Sequence, residues 1–286
     1  MAYAKLSGSL LACRYMPPTM PAAHTMPAPP APVADEEARR LTQCLEALKL
    51  PTFLSEHAEL ARQCAAEGLD YSRYLLRLAE LELSERERRR VERLIAKARF
   101  PAVKSLDSFD FAAIPTLDRR LVLELARCEY VARRENVIVV GNSGTGKTHI
   151  AIALGVAACR KGMSVGFVTA AALVHELLAE PQVLRLQRRL DAYRLLIVDE
   201  LGYAPLPAAG AELLFEVFSQ RCERGSTIIT SNLPIDEWIN VFGTERLTGA
   251  LIDRLTYHVH VLELNGESYR LKHSNWHQPP GASPAT

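Results

Sequence analysis

The stretch NVIVVGNSGTGKT, from Asn136 to Thr148, restricts the possible folds more than any other part of the chain. Val137 to Val140 form a β-branched run suited to a strand buried on both faces, and the run stops at Gly141. Gly141, Gly146, Lys147 and Thr148 fit G-x-x-x-x-G-K-[ST], and the apolar run THIAIALGVAAC has the character of the helix such a loop opens into. Glycine-rich turns after strands are common, but the eight-residue pattern in this context is specific. Backbone N–H groups of residues 142 to 148 can then converge on phosphate at a helix N-terminus. Gly141, Asn142, Ser143, Gly144, Thr145, Gly146, Lys147 and Thr148 are therefore expected to bind a nucleoside triphosphate. Lys147 would reach the β- and γ-phosphates, and Thr148 would place its hydroxyl on Mg²⁺.

Beyond the loop, apolar strands and helices alternate, the pattern of an α/β fold with a mainly parallel sheet. Strands are expected at 164–169, 195–199, 226–231 and 258–264, which with the first makes five. Helices are expected near 148–162, 171–193 and 211–224.

The strand LLIVDE ends in Asp199 and Glu200. An acid at such a strand end can hold Mg²⁺ through water, which suits Asp199, and Glu200 is placed to orient and deprotonate an attacking water. The two could instead cap the turn at Gly202. Small-molecule kinases need no water-activating glutamate, and the N-K-x-D guanine reader of GTPases is absent, so an ATPase remains. Asn232 follows the next strand and could hydrogen-bond the water or the γ-phosphate, or serve as a turn residue before Leu-Pro. Arg254 ends a short helix before the last strand. From there it would reach the γ-phosphate of a neighbouring subunit more easily than its own, as an arginine finger; a surface cluster with Asp253 is the alternative. Arg246 and Arg270 are further candidates for the same charge.

Residues 1–34 are crowded with Pro, Ala and Met and are expected to be a disordered tail, as are 274–286. Met16, Met20 and Met26 are alternative starts. Residues 35–103 read as a small all-helical domain, with a third helix from about Asp70 and a Ser84–Glu87 capping box opening a fourth. That fourth helix carries Arg86, Arg88, Arg89, Arg90 and Arg93 among Glu85, Glu87 and Glu92. It is either a solvated face of ion pairs or a phosphate-contacting surface. Residues 104–120 connect to the nucleotide domain, 104–273, with Phe109 and Phe111 as anchors and Thr116 capping a helix through about Arg134.

The net charge of +1 gives no global electrostatic signal, so any nucleic-acid surface must be a local patch. The six cysteines are scattered without a C-x-x-C pair and read as reduced thiols of a cytoplasmic protein. No apolar run approaches the roughly 18 to 20 residues of a membrane span. Lys5 followed by LSGSLLAC has the outline of an export signal ending at Cys13, but its apolar stretch is short and broken by serines and glycine.

Together GNSGTGKT, LLIVDELGY, TIITSNLP, LIDRL and GESYRLK resemble the IstB-like transposition ATPases, relatives of the DnaC-type helicase loaders within the AAA+ class. The resemblance covers about residues 36–273. It implies a P-loop AAA+ fold and a duplex-DNA-binding ATPase that assembles with ATP into a homo-oligomer. Its partner would be the transposase encoded by the same element, which it helps to choose or activate a target; a replicative helicase loader is the alternative. By this resemblance Lys147 and Thr148 belong to the first nucleotide motif, Asp199 and Glu200 to the second, Asn232 to the first sensor and Arg254 to the finger. About 22 residues follow Leu264, too few for the helical lid of many AAA+ proteins, so a second sensor arginine has no domain to sit on unless Arg270 substitutes. Arg185, Arg188 and Arg189 share a helix face in a region that lines the central passage of related assemblies. With Lys161 they are the expected phosphate contacts, and no base-reading motif is visible.

Overall fold

The computed structural model describes residues 31–179, 183–256 and 258–272. They fall into two compact units with the boundary between Glu82 and Leu83. The first unit holds α1 (Ala31–Ala47), α2 (Pro51–Ala66) and the opening turns of α3 (Tyr71–Ala98). Its small core is Leu60, Cys64 and Leu78, with Phe53, Leu69 and Tyr74 packed around them. Pro51 opens α2, where a missing N–H costs nothing, and the buried Glu82 carboxylate accepts from Thr52 N at 2.9 Å at that helix's positive end.

Two expectations change here. Residues 31–34 are helical, so only 1–30 of the expected tail remain, and these lie outside the described residues together with 273–286 and Cys13. The third and fourth helices are one: α3 runs through Ser84 because its 28 residues contain no Gly or Pro to end it. The arginine-rich half of α3 belongs to the second unit, where Leu94, Ile95, Ala98 and Phe100 join its core. On its outer side Arg88 pairs with both Glu85 and Glu92, the geometry of a solvated ion-pair face.

The second unit continues with α4 (Arg119–Leu125), α5 (Glu129–Arg133), β1 (Asn136–Gly141), α6 (Lys147–Arg160), β2 (Val165–Thr169), α7 (Ala170–Ala179) and α8 (Val183–Asp191). Then come β3 (Leu195–Leu201), α9 (Ala208–Arg221), β4 (Ser226–Ser231), α10 (Ile239–Phe242), α11 (Glu245–Thr256), β5 (Val259–Leu264) and α12 (Tyr269–Lys272). Asp118, not Thr116, caps α4, accepting from Arg120 N and Leu121 N; the Thr116 hydroxyl donates instead to Asn265 O. The helix expected at 171–193 is two helices, α7 and α8.

The five strands form one parallel sheet in the order β2-β3-β4-β1-β5. Alternation along the strands separates two cores. Val137, Val139 and Ile197 meet α4, α5 and α6 on one face, and Ile138, Leu196, Val198 and Ile229 meet α7, α8, α9 and α11 on the other. Because β4 is inserted between β1 and β3, its C-terminal end stands between the glycine loop and the acidic strand end.

Candidate nucleotide site

The loop between β1 and α6 needs glycine at both ends for steric reasons. Gly141 has φ 144°, and a Cβ there would lie 2.1 Å from the Leu264 carbonyl oxygen at the end of β5. Gly146 has φ 97°, and a Cβ would lie 2.7 Å from the Phe109 ring. Phe109 also meets His149 edge-on, and His149 Nε2 lies 2.8 Å from Ser105 O. The connector is thereby fastened to the start of α6, as its two phenylalanines suggested.

Inside the loop, Lys147 Nζ donates to Gly141 O at 2.8 Å and Asn142 O at 2.7 Å. The side chain is buried, and burial lowers its ammonium pKa to about 8, with Asp199 opposing the shift and Arg270 adding to it. Thr148 Oγ1 donates to the Asp199 carboxylate, 3.0 Å from each oxygen. Asp199 also accepts from Thr230 Oγ1 at 2.5 Å, and that same hydroxyl accepts from Glu200 N at 3.0 Å.

A cavity of about 490 Å³ opens over the loop, within the range of ligand sites. Ser143 to Thr148 form its floor; Gly141 and Asn142 lie behind, their carbonyls turned to Lys147. Glu200, Tyr203, Thr230 and Asn232 line the cavity, as do Phe109, Asp110, Ala113 and Ile114. Lys104 and His149 also line it, as do Tyr269 and Arg270. The last two arrive on a strap rather than a lid: Tyr269 N donates to Gly144 O at 3.0 Å, and Asn142 Nδ2 to Gly266 O at 3.4 Å. Only the motif SYRLK hinted at this arginine.

The donor set suits Mg²⁺. One carboxylate and one hydroxyl are hard oxygen ligands, and this ion uses few protein groups beside phosphate oxygens and water. Among the described residues no three His, Cys, Asp or Glu side chains gather as a self-sufficient metal centre.

The family profile described as IstB-like ATP binding protein matches residues 43–276. The chain belongs to that family. This IstB-like chain is 36% identical over 236 residues to an ATP-binding protein assigned to insertion sequence IS5376 of Geobacillus stearothermophilus, covering 82% of this chain and 94% of the relative. It is 42% identical over 223 residues to one assigned to IS21 of Pseudomonas aeruginosa, covering 77% and 84%. Among solved structures, DnaI is similar at 18% identity with a TM-score of 0.48, over 58% of this chain and 90% of that one.

The remaining expected residues of the IstB-like chain stand away from the cavity. Arg254 is exposed near the end of α11, its guanidinium 5.5 Å from the centre of the Phe215 ring, and it does not line the cavity. Arg185, Arg188 and Arg189 are exposed on α8, and Arg189 is ion-paired with Glu176. Lys161 does not join them. It follows α6, packed on the sheet face opposite to the one that α8 covers through Leu186 and Leu190.

Proposed function

We propose that the chain binds Mg²⁺-ATP in this cavity and hydrolyses it between subunits of a homo-oligomer assembled on duplex DNA. In this way it would assist the transposase encoded by the same insertion sequence. One observation carries the reading: Lys147, Thr148, Glu200 and Arg270 line one cavity with the glycine loop, and the Thr148 hydroxyl is bonded to the buried Asp199 carboxylate behind it. Cationic side chains together with a carboxylate able to act as a general base are what a polyphosphate and an attacking water require.

In this reading Thr148 and Asp199 hold Mg²⁺, which neutralises phosphate charge when bound. Lys147 exchanges its loop carbonyls for phosphate oxygens, Arg270 adds a second cation from the same subunit, and Glu200 takes the proton of the water that Asn232 orients. Phe109, Ala113 and Ile114 offer the apolar wall for a base. Arg254 is exposed and remote from its own subunit's cavity, which leaves it available to a neighbour's γ-phosphate.

The relatives' assignment to insertion sequences supports a transposase as partner, and the cytoplasm is the proposed place of action. No helix among the described residues is long and apolar enough to cross a membrane. Duplex DNA would meet Arg185 and Arg188 of α8, each true contact adding about 0.9 to the slope of log affinity against log salt. Arg189 would first have to leave Glu176, and Lys161 would belong to a separate contact.

The test is ATP turnover across protein concentration, with and without duplex DNA, for wild type and Arg254→Ala. Stimulation of wild type by DNA and by concentration, with a mutant that binds ATP but stays slow, is the expected result. Turnover indifferent to all three would mean a self-contained site and would refute the assembled form.

A further inference from the structure

Between Val198 and Leu201 the pairing of β3 with β4 loses its step. Val198 faces Ile229 and Leu201 faces Ser231, so Asp199 and Glu200 together oppose the single residue Thr230. Such an extra residue leaves backbone groups without ladder partners. The Thr230 hydroxyl fills the gap: it accepts from Glu200 N at 3.0 Å and donates to Asp199 Oδ1 at 2.5 Å. One buried oxygen atom therefore holds both acids, one through its backbone and the other through its carboxylate.

The backbone at Glu200 needs this support. Its φ is +62°, a left-handed conformation disfavoured for residues with a side chain and kept only where neighbours over-determine it. That conformation is what sends Glu200 to the cavity wall while Asp199 turns back to Thr148. A regular strand would have sent the two side chains to opposite faces of the sheet.

We propose that Thr230 is a positioning residue for hydrolysis, its hydroxyl fixing the direction of the Glu200 carboxylate and the plane of the Asp199 carboxylate together. The inference rests on the hydrolytic reading above. Serine would serve the same two bonds, whereas valine would fill the same volume and make neither.

The test uses the full chain as wild type, Thr230→Val and Thr230→Ser. It measures kcat and KM for ATP, together with amide hydrogen exchange over residues 198–203 in the absence of nucleotide. Thr230→Val is expected to lose about 10²-fold in kcat, the scale of a misplaced reacting group, with KM within about threefold of wild type. Its amides over 199–201 are expected to exchange faster, and Thr230→Ser should restore both readouts. A Thr230→Val protein with wild-type kcat, or a serine variant as slow as the valine one, would overturn the positioning role. If Thr230→Val does not fold, the serine variant decides alone: retained turnover supports the role, and lost turnover overturns it. A wild type without turnover refutes the hydrolytic reading itself, whereas turnover shared equally by wild type and Thr230→Val removes only Thr230's part in it.

Discussion

Arg270 lies close enough to Lys147 for its positive charge to lower the lysine's proton affinity, and both side chains line the same cavity. Like charges converge in this way where an anion is to be received. Replacing Arg270 by Ala is expected to weaken ATP binding about tenfold, and Lys147→Ala about a hundredfold, as charge-assisted hydrogen bonds to phosphate are lost. Equilibrium titration with a fluorescent ATP analogue reads both. Unchanged affinity in Arg270→Ala would remove the strap from the binding site.

Gly141 and Gly243 separate steric need from conformational preference. Both have positive φ, 144° and 77°, but a Cβ at Gly141 meets a backbone oxygen at 2.1 Å while one at Gly243 meets nothing within 4 Å. Urea unfolding is expected to show a loss of about 3 kcal/mol or more for Gly141→Ala, and only about 1 kcal/mol for Gly243→Ala. Equal losses would show that the β5 carbonyl moves aside.

Arg221 is a buried cation whose partners are carbonyls and a hydroxyl. It donates to Leu190 O, Tyr193 O and Ser226 O at 2.5 to 3.1 Å and to Thr227 Oγ1 at 3.4 Å, and burial lowers its pKa to about 10. These bonds fasten the turn after α8 to the start of β4. Arg221→Ala should destabilise the second unit by about 3 kcal/mol, because three carbonyls lose a charged donor and a cavity opens. Thermal melting measures it, and a change below about 1 kcal/mol would mean that water replaces the guanidinium.

Glu135 gives an acid dependence. Its bond from Arg133, aided by His260 and opposed by burial, lowers its pKa from 4.5 to about 2. Between those values the unfolded chain binds the proton and the folded chain does not, so stability falls as pH falls from about 4.5 toward 2. The contribution is fully present above that window. Glu135→Gln should flatten this part of the pH–stability curve by about 1 kcal/mol, a surface pair's upper range. An unchanged curve would leave the pair without energetic weight.

Local sequence carried the strands and the glycine loop, because each is a short apolar run bounded by polar or glycine residues. It did not carry features set by distant contacts. Ser84 and Glu87 have the spacing of a helix start, yet with no breaker nearby the helix passes through them. Thr116 has the chemistry of a cap, but Asn265 takes its hydroxyl. At the end of β3 the Glu200 N–H bonds to the Thr230 side chain of another strand, and Arg270 enters the site beside a backbone bond between Tyr269 and Gly144. No period or motif reports such pairings in advance.

The most direct measurement is ATP binding and turnover by Glu200→Gln. Glutamine keeps the shape and the backbone bond to Thr230 but cannot take a proton from water at neutral pH. The expected result is ATP affinity within about threefold of wild type and turnover lower by about 10² or more. Turnover equal to wild type would contradict the assignment of Glu200 as the general base, and with it the reading of this cavity as a site of ATP hydrolysis.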